Sequence, residues 1–207
     1  MEDFFKTVGH LLHRIESYHD SYTEKHENMT GKLMFHFGKA LGYNENECHR
    51  LSTLGNVHDI GKISIPAKIL EKNGELSAFE RSVVELHPQI GFQLIEKIQH
   101  PFTEVAKKVI LNHHEAFDGS GYPNRIKGDK IPIEARICSI CDVYEALRSH
   151  RPYRDKTLGH TNTLEKMLDK SQGLRNKFDP DLLKIFEKIS DQVKSWFDEG
   201  PSLVSDG

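Results

Sequence analysis

Apolar residues recur along the chain at steps of three and four. Residues 3–17 carry Phe4, Phe5, Val8, Leu11, Leu12 and Ile15, the i, i+3, i+4, i+7 stripe of an amphipathic helix. A second helical pattern runs from about Glu24 to Leu41 and stops near Gly42. Asn44 followed by Glu47 is an asparagine form of the capping box and starts a third helix, expected to end near Gly61. Ser77 with Glu80 is the standard box and opens a helix through about Leu86; Pro88 starts another that runs to Ile98. Thr103 to Glu115 and Glu134 to Ser149 follow, and Asp179-Pro180, an N-cap before an N1 proline, opens a last helix over Leu182 to Phe197. No segment alternates at period two for long enough to be a strand. The expected class is all-α, a single-domain helical bundle.

The one long break is Asp118 to Pro132, DGSGYPNRIKGDKIP. Its glycine, proline and charge read as either an ordered functional loop or a disordered one. Residues 1–20 form an N-terminal helix that serves as a linker, a dimerisation element or a first core helix. Residues 21–198 make the main domain and 199–207 a frayed tail.

A chain of 207 residues can bury one sizeable core. The formal net charge of −3 argues against a surface built to hold a DNA or RNA duplex. No apolar run reaches the roughly 20 residues needed to span a bilayer, so membrane insertion is not expected. The N-terminus lacks the apolar core of a signal peptide, which makes a cytoplasmic location the default. Cys48, Cys138 and Cys141 give no disulfide framework, and the CxxC of Cys138 and Cys141 lies in an apolar helical pattern where free cysteine packs as a small hydrophobe.

The 13 histidines change the picture. Eight have no special context and read as surface or half-buried polar residues: His10, His13, His19, His36, His49, His100, His150 and His160. The others do not. His58-Asp59 sits in LGNVHDIGKISIPAKIL, and His113-His114 closes TEVAKKVILNHHE. His87 precedes Pro88 at a helix junction, and His26 lies on the second helix. Asp142 stands among Ile137, Ile140, Val143 and Leu147, where an isolated charge would be very costly unless paired or bound. Histidines from four stretches and two aspartates on separate helices are what a two-metal centre inside a bundle requires. Imidazole with carboxylate suits divalent iron, manganese or zinc.

The stretches LGNVHDIGKISIPAKILEKNGELSAFE, VVELHPQIGFQLI, NHHEAFDGSGYP, IPIEARICSICDVYEALRSHRPYR and FDPDLL resemble the HD-GYP branch of the HD phosphohydrolase superfamily, in the family's order, from His26 to about Leu183. The resemblance implies an HD-domain fold with a metal centre in its core. It implies one divalent ion held by His26, His58, Asp59 and Asp142 and a second held by Asp59, His87, His113 and His114, iron or manganese being usual. The activity implied is hydrolysis of cyclic di-GMP to linear pGpG or GMP by a hydroxide between the two metals, with Lys62 neutralising charge on the phosphoryl group. In the GYP loop Gly119 and Gly121 permit positive φ or close backbone approach. Tyr122 offers a ring face or a hydroxyl, and Pro123 stiffens the turn. Arg151 and Arg154 are similar to the family's phosphate-contacting residues. With Lys62, Arg125 and Lys127 they would make a positive pocket on an acidic chain.

The chain also departs from the family. Met29 stands where an arginine is usual, and Tyr22 where three-metal members carry glutamate, so two metals are expected and not three. EALRSHRPY replaces DALTSDRPY, and Arg148 and His150 are expected to make the pocket entrance more basic. Two further readings follow: a phosphodiesterase for a mixed cyclic dinucleotide such as cyclic GMP-AMP, or a nucleotide-binding signalling module with little turnover. A sensor, receiver or other signalling protein, and a second copy of the chain, are the protein partners these readings allow.

Overall fold

A close crossing of two glycines organises the first half of the chain. Helices α1 (Ser21–Ala40) and α2 (Glu45–Val57) form a hairpin through a turn at Gly42, whose φ is +82°. A Cβ on Gly55 would lie 2.8 Å from Gly31 Cα, and one on Gly31 would lie 2.7 Å from the Ser52 carbonyl oxygen. Only glycine admits the helices so near each other. The Asn44 capping box starts α2 as its spacing predicts: Glu47 N–H donates to Asn44 Oδ1 at 3.0 Å and Asn44 N–H to Glu47 Oε2 at 2.8 Å. The computed structural model describes residues 21–149, 157–169, 171 and 174–199, with side chains from residue 25 onward. The helix expected over 3–17, His10, His13, His19, His150, Arg151, Arg154 and residues 200–207 lie outside the described residues.

α2 ends at Val57 rather than near Gly61, and a 3-10 turn over Ile60–Ser64 follows. The reason is contact with the helix that begins at His87: a Cβ on Gly61 would overlap the His87 carbonyl oxygen and lie 2.6 Å from Gly91 N. The chain leaves the α-helix so that this bare backbone can lie flat on its neighbour. Short helices α3 (Ala67–Leu70) and α4 (Ala78–Val84) come next, the second opened by the Ser77–Glu80 box. Then follow α5 (His87–Ile95), with Pro88 in its first turn, and α6 (Pro101–Asn112). His100, half-buried, caps α6 by accepting the Phe102 N–H on Nδ1 at 3.2 Å.

The 113–132 break carries a 3-10 turn at Gly128–Lys130 and leads into α7 (Ile133–Arg148), the central helix. Ile137, Cys138, Ile140, Cys141 and Tyr144 of α7 are fully buried, so both CxxC thiols pack in the core as expected, and burial pushes them well above the usual thiol range. Met29, at the place of the family's arginine, also joins the core. Helix α8 (His160–Leu168) was not expected: its apolar stripe is short and Gly159 gives it no side-chain cap. One last helix was expected, but two are present, α9 (Pro180–Lys188) and α10 (Ser190–Asp198). The bend at Ile189 (φ −98°, ψ 12°) turns α10 back onto α1, where Trp196 stacks on His36 at 4.2 Å. Among the described residues there is no strand, and no helix is long and apolar enough to cross a membrane.

Arg148 corrects one expectation. Its guanidinium donates to Tyr144 Oη at 2.8 Å and Asp198 Oδ1 at 2.7 Å, and lies 4.4 Å from the Phe197 ring centre. It is committed to the α7–α10 contact, where its charge is paired with Asp198.

Candidate metal centre

Three of the histidines sit at helix ends, where the carbonyl three residues earlier is free to accept. His58, just beyond α2, donates from Nδ1 to the Gly55 carbonyl at 2.7 Å; His87 does so to Val84 at 2.7 Å and His113 to Ile110 at 2.9 Å. A carbonyl can only accept, so the proton of each neutral ring lies on Nδ1 and the lone pair on Nε2. His26 lies inside α1 and bonds through Nδ1 to the Glu145 carboxylate of α7. The Gly31–Gly55 crossing brings the His26 and His58 rings to 5.3 Å.

All four Nε2 atoms converge on two aspartates. His26 Nε2 lies 3.2 Å from Asp142 Oδ1 and His58 Nε2 3.9 Å from the same atom. Asp59 divides its oxygens: Oδ2 is 3.5 Å from His26 and 3.4 Å from His58, while Oδ1 is 3.0 Å from His87 and 3.5 Å from His113. Two groups result, His26, His58 and Asp142, and Asp59, His87, His113 and His114, each with its ligand atoms within 4.8 Å of one another. Lys62, in the 3-10 turn, ion-pairs with Asp59 Oδ2.

The donor set fits divalent cations. Burial pushes His58 down to about 4, lowers His87, and holds His114 well below its ordinary range. These rings are therefore neutral at neutral pH. Burial acts to raise Asp59 and Asp142, but Lys62 and His58 around the first, and His26 and His58 around the second, hold both well below the usual carboxylate range. Two features suit a cation. His87 Nε2 faces His113 Nε2 at 3.2 Å, and the Nδ1 of each ring is turned to a backbone carbonyl. His58 Nε2 is buried without a hydrogen-bond partner. Ions among these atoms would offset both.

The GYP loop folds against the second group. A Cβ on Gly121 would overlap the His114 carbonyl oxygen and lie 2.7 Å from the Glu115 carbonyl carbon, which accounts for that glycine; Gly119 has φ +84°. Tyr122 N–H donates to the His114 carbonyl at 3.2 Å, and its ring stacks on His114 at 4.7 Å and 28°. Burial pushes its phenol up, so it stays a neutral donor. Pro123 follows, half-buried. Arg125 and Lys127 are exposed to solvent, and Arg151 and Arg154 lie outside the described residues. Two buried carboxylates were missed. Glu115 accepts the Asn124 N–H at 2.6 Å and holds the loop, and Glu145 holds His26. Glu145 was legible: it stands three residues after Asp142 on the same apolar helix, hence on the same face.

The HD domain family matches residues 10–182. The chain is 38% identical over 150 residues to the cyclic di-GMP phosphodiesterase response regulator RpfG of Xanthomonas campestris pv. campestris, covering 72% of this chain and 39% of that protein. It is 37% identical over 144 residues to the 3'3'-cGAMP-specific phosphodiesterase 2 of Vibrio cholerae, covering 70% and 27%. The chain thus spans less than half the length of these relatives. Among solved structures, the HD domain of the L. monocytogenes phosphodiesterase PgpH shares the fold, with TM-score 0.64 at 18% identity, covering 91% of this chain and 97% of that one.

Proposed function

The chain belongs to the HD domain family, in its HD-GYP branch, and from that premise we propose that residues 21–198 form a metal-dependent phosphodiesterase that hydrolyses cyclic di-GMP to linear pGpG, GMP or both. The observation that carries the reading is the divided Asp59 carboxylate, one oxygen turned to each histidine group. His26, His58, Asp59 and Asp142 would hold one ion and Asp59, His87, His113 and His114 the other, with iron or manganese as the metal. Bound there, divalent ions supply Lewis acidity toward phosphate and an activated water at neutral pH.

The remaining roles belong to this chain's own side chains. The Lys62 ammonium, already beside Asp59, meets the negative charge that grows on the phosphoryl group. Tyr122, held on His114, presents a ring face to a guanine and a neutral hydroxyl to a phosphate oxygen, on a turn shaped by Gly121 and Pro123. Arg151 and Arg154 take the second phosphate. After the response-regulator relative, we place the activity under a sensor or receiver partner in the cytoplasm. The Vibrio relative supports a second reading, hydrolysis of a mixed cyclic dinucleotide. His150 is the remaining sequence feature that favours it, since Arg148 is engaged elsewhere.

Protein purified without oxygen, assayed for metal per chain and incubated with each cyclic dinucleotide, tests both. Two ions per chain and linear product from cyclic di-GMP are expected, with Asp59→Ala losing turnover by at least a thousandfold, about 4 kcal/mol. An Asp59→Ala protein as active as the wild type would overturn the reading. A kcat/KM ratio favouring the mixed dinucleotide would shift it to the second.

A further inference from the structure

We propose that Glu145 is a positioning residue that fixes the tautomer of His26 and links it to Ser149, the C-cap of α7. The inference rests on the reading of His26 as a metal ligand. The histidines differ in what their Nδ1 atoms meet. His58, His87 and His113 each donate Nδ1–H to the carbonyl three residues earlier, available because each stands at a helix end. His26 stands six residues into a helix of 20, where the preceding carbonyls serve the helix itself. Its partner has to come from another element, and it comes from α7, 119 residues away.

That partner differs in kind. Glu145 is 2% exposed, and its second oxygen accepts the Ser149 hydroxyl. Ser149 also donates its N–H to the Glu145 carbonyl at 2.8 Å as the C-cap of α7. One buried carboxylate therefore ties His26 to the C-terminal end of α7. A charged acceptor makes the opposite ring nitrogen a stronger donor than a carbonyl does. The two metal groups are then unequal: the one containing His26 depends on Glu145, and the one containing His87 and His113 does not.

The test is manganese titration of metal-free protein, followed by EPR, in the wild type and in Glu145→Gln, with thermal melting in parallel. Wild type takes up two ions per chain. Glu145→Gln is expected to weaken one ion about 10–100-fold and leave the other unchanged. Two ions at wild-type affinity, or an equal loss at both groups, overturns the inference and leaves the metal centre standing. A wild type that binds no ion overturns both. Should the variant not fold, histidine-selective 15N NMR on the wild type decides instead. A proton on Nδ1 of His26 supports the inference, and a ring without one overturns it.

Discussion

Burial sets the behaviour of the site at the scale of single residues. His58, His87 and His114 are all pushed down by desolvation, His58 to about 4 from an ordinary 6.5. A histidine lowered in the folded state is protonated first in the unfolded chain, so acid favours unfolding between those two values. Asp59 and Asp142 are also lowered, but their stabilising share is lost only below the ordinary carboxylate value of 3.8, outside that window. Metal-free protein should therefore lose about 1–3 kcal/mol of stability between pH 7 and pH 5, read from denaturant midpoints. Equal midpoints at the two pH values would contradict this. Asp142 was recognisable from its apolar neighbours; the same argument reaches Glu145, whereas Glu115 is betrayed only by the loop that folds over it.

At the scale of elements, the close backbone contacts matter more than the caps. Both predicted capping boxes form, because a box needs only residues three apart. The helix ends at 57 and 189 were misplaced, because each is set by a distant element: α5 against Gly61, and α1 against α10. Gly61→Ala tests the first. Its Cβ would strike main-chain atoms of His87 and Gly91, which cannot swing aside as a side chain can. A loss of about 3 kcal/mol in thermal or denaturant melts is expected. The variant should also lose the ion at Asp59, His87, His113 and His114, since Asp59 and His87 are carried on the two surfaces forced apart. An alanine variant with unchanged melting and metal content would show that the contact is slack.

Across the whole molecule, the proposed ligands come from α1, α7, the 58–59 junction, the start of α5 and the end of α6. Bound ions would clamp all of these together and stabilise only the folded chain. Stability should then rise with free manganese, by about 2.7 kcal/mol at a hundred times the Kd. Chelation should lower the melting temperature and readded manganese restore it. A melting temperature indifferent to manganese would remove the clamp from the account.

The sequence by itself determined the helical class, the helix starts marked by a capping residue or an early proline, and the short set of histidines and aspartates worth following, because periodicity, caps and motif spacing are local properties of the chain. Tertiary structure decided the rest. It turned Asp59 so that one oxygen meets His26 and the other His87, gave His26 a carboxylate where the others have carbonyls, and engaged Arg148 with Asp198. Each of these is a contact between residues tens of positions apart, set by how closely two helices approach, and no local pattern encodes that distance.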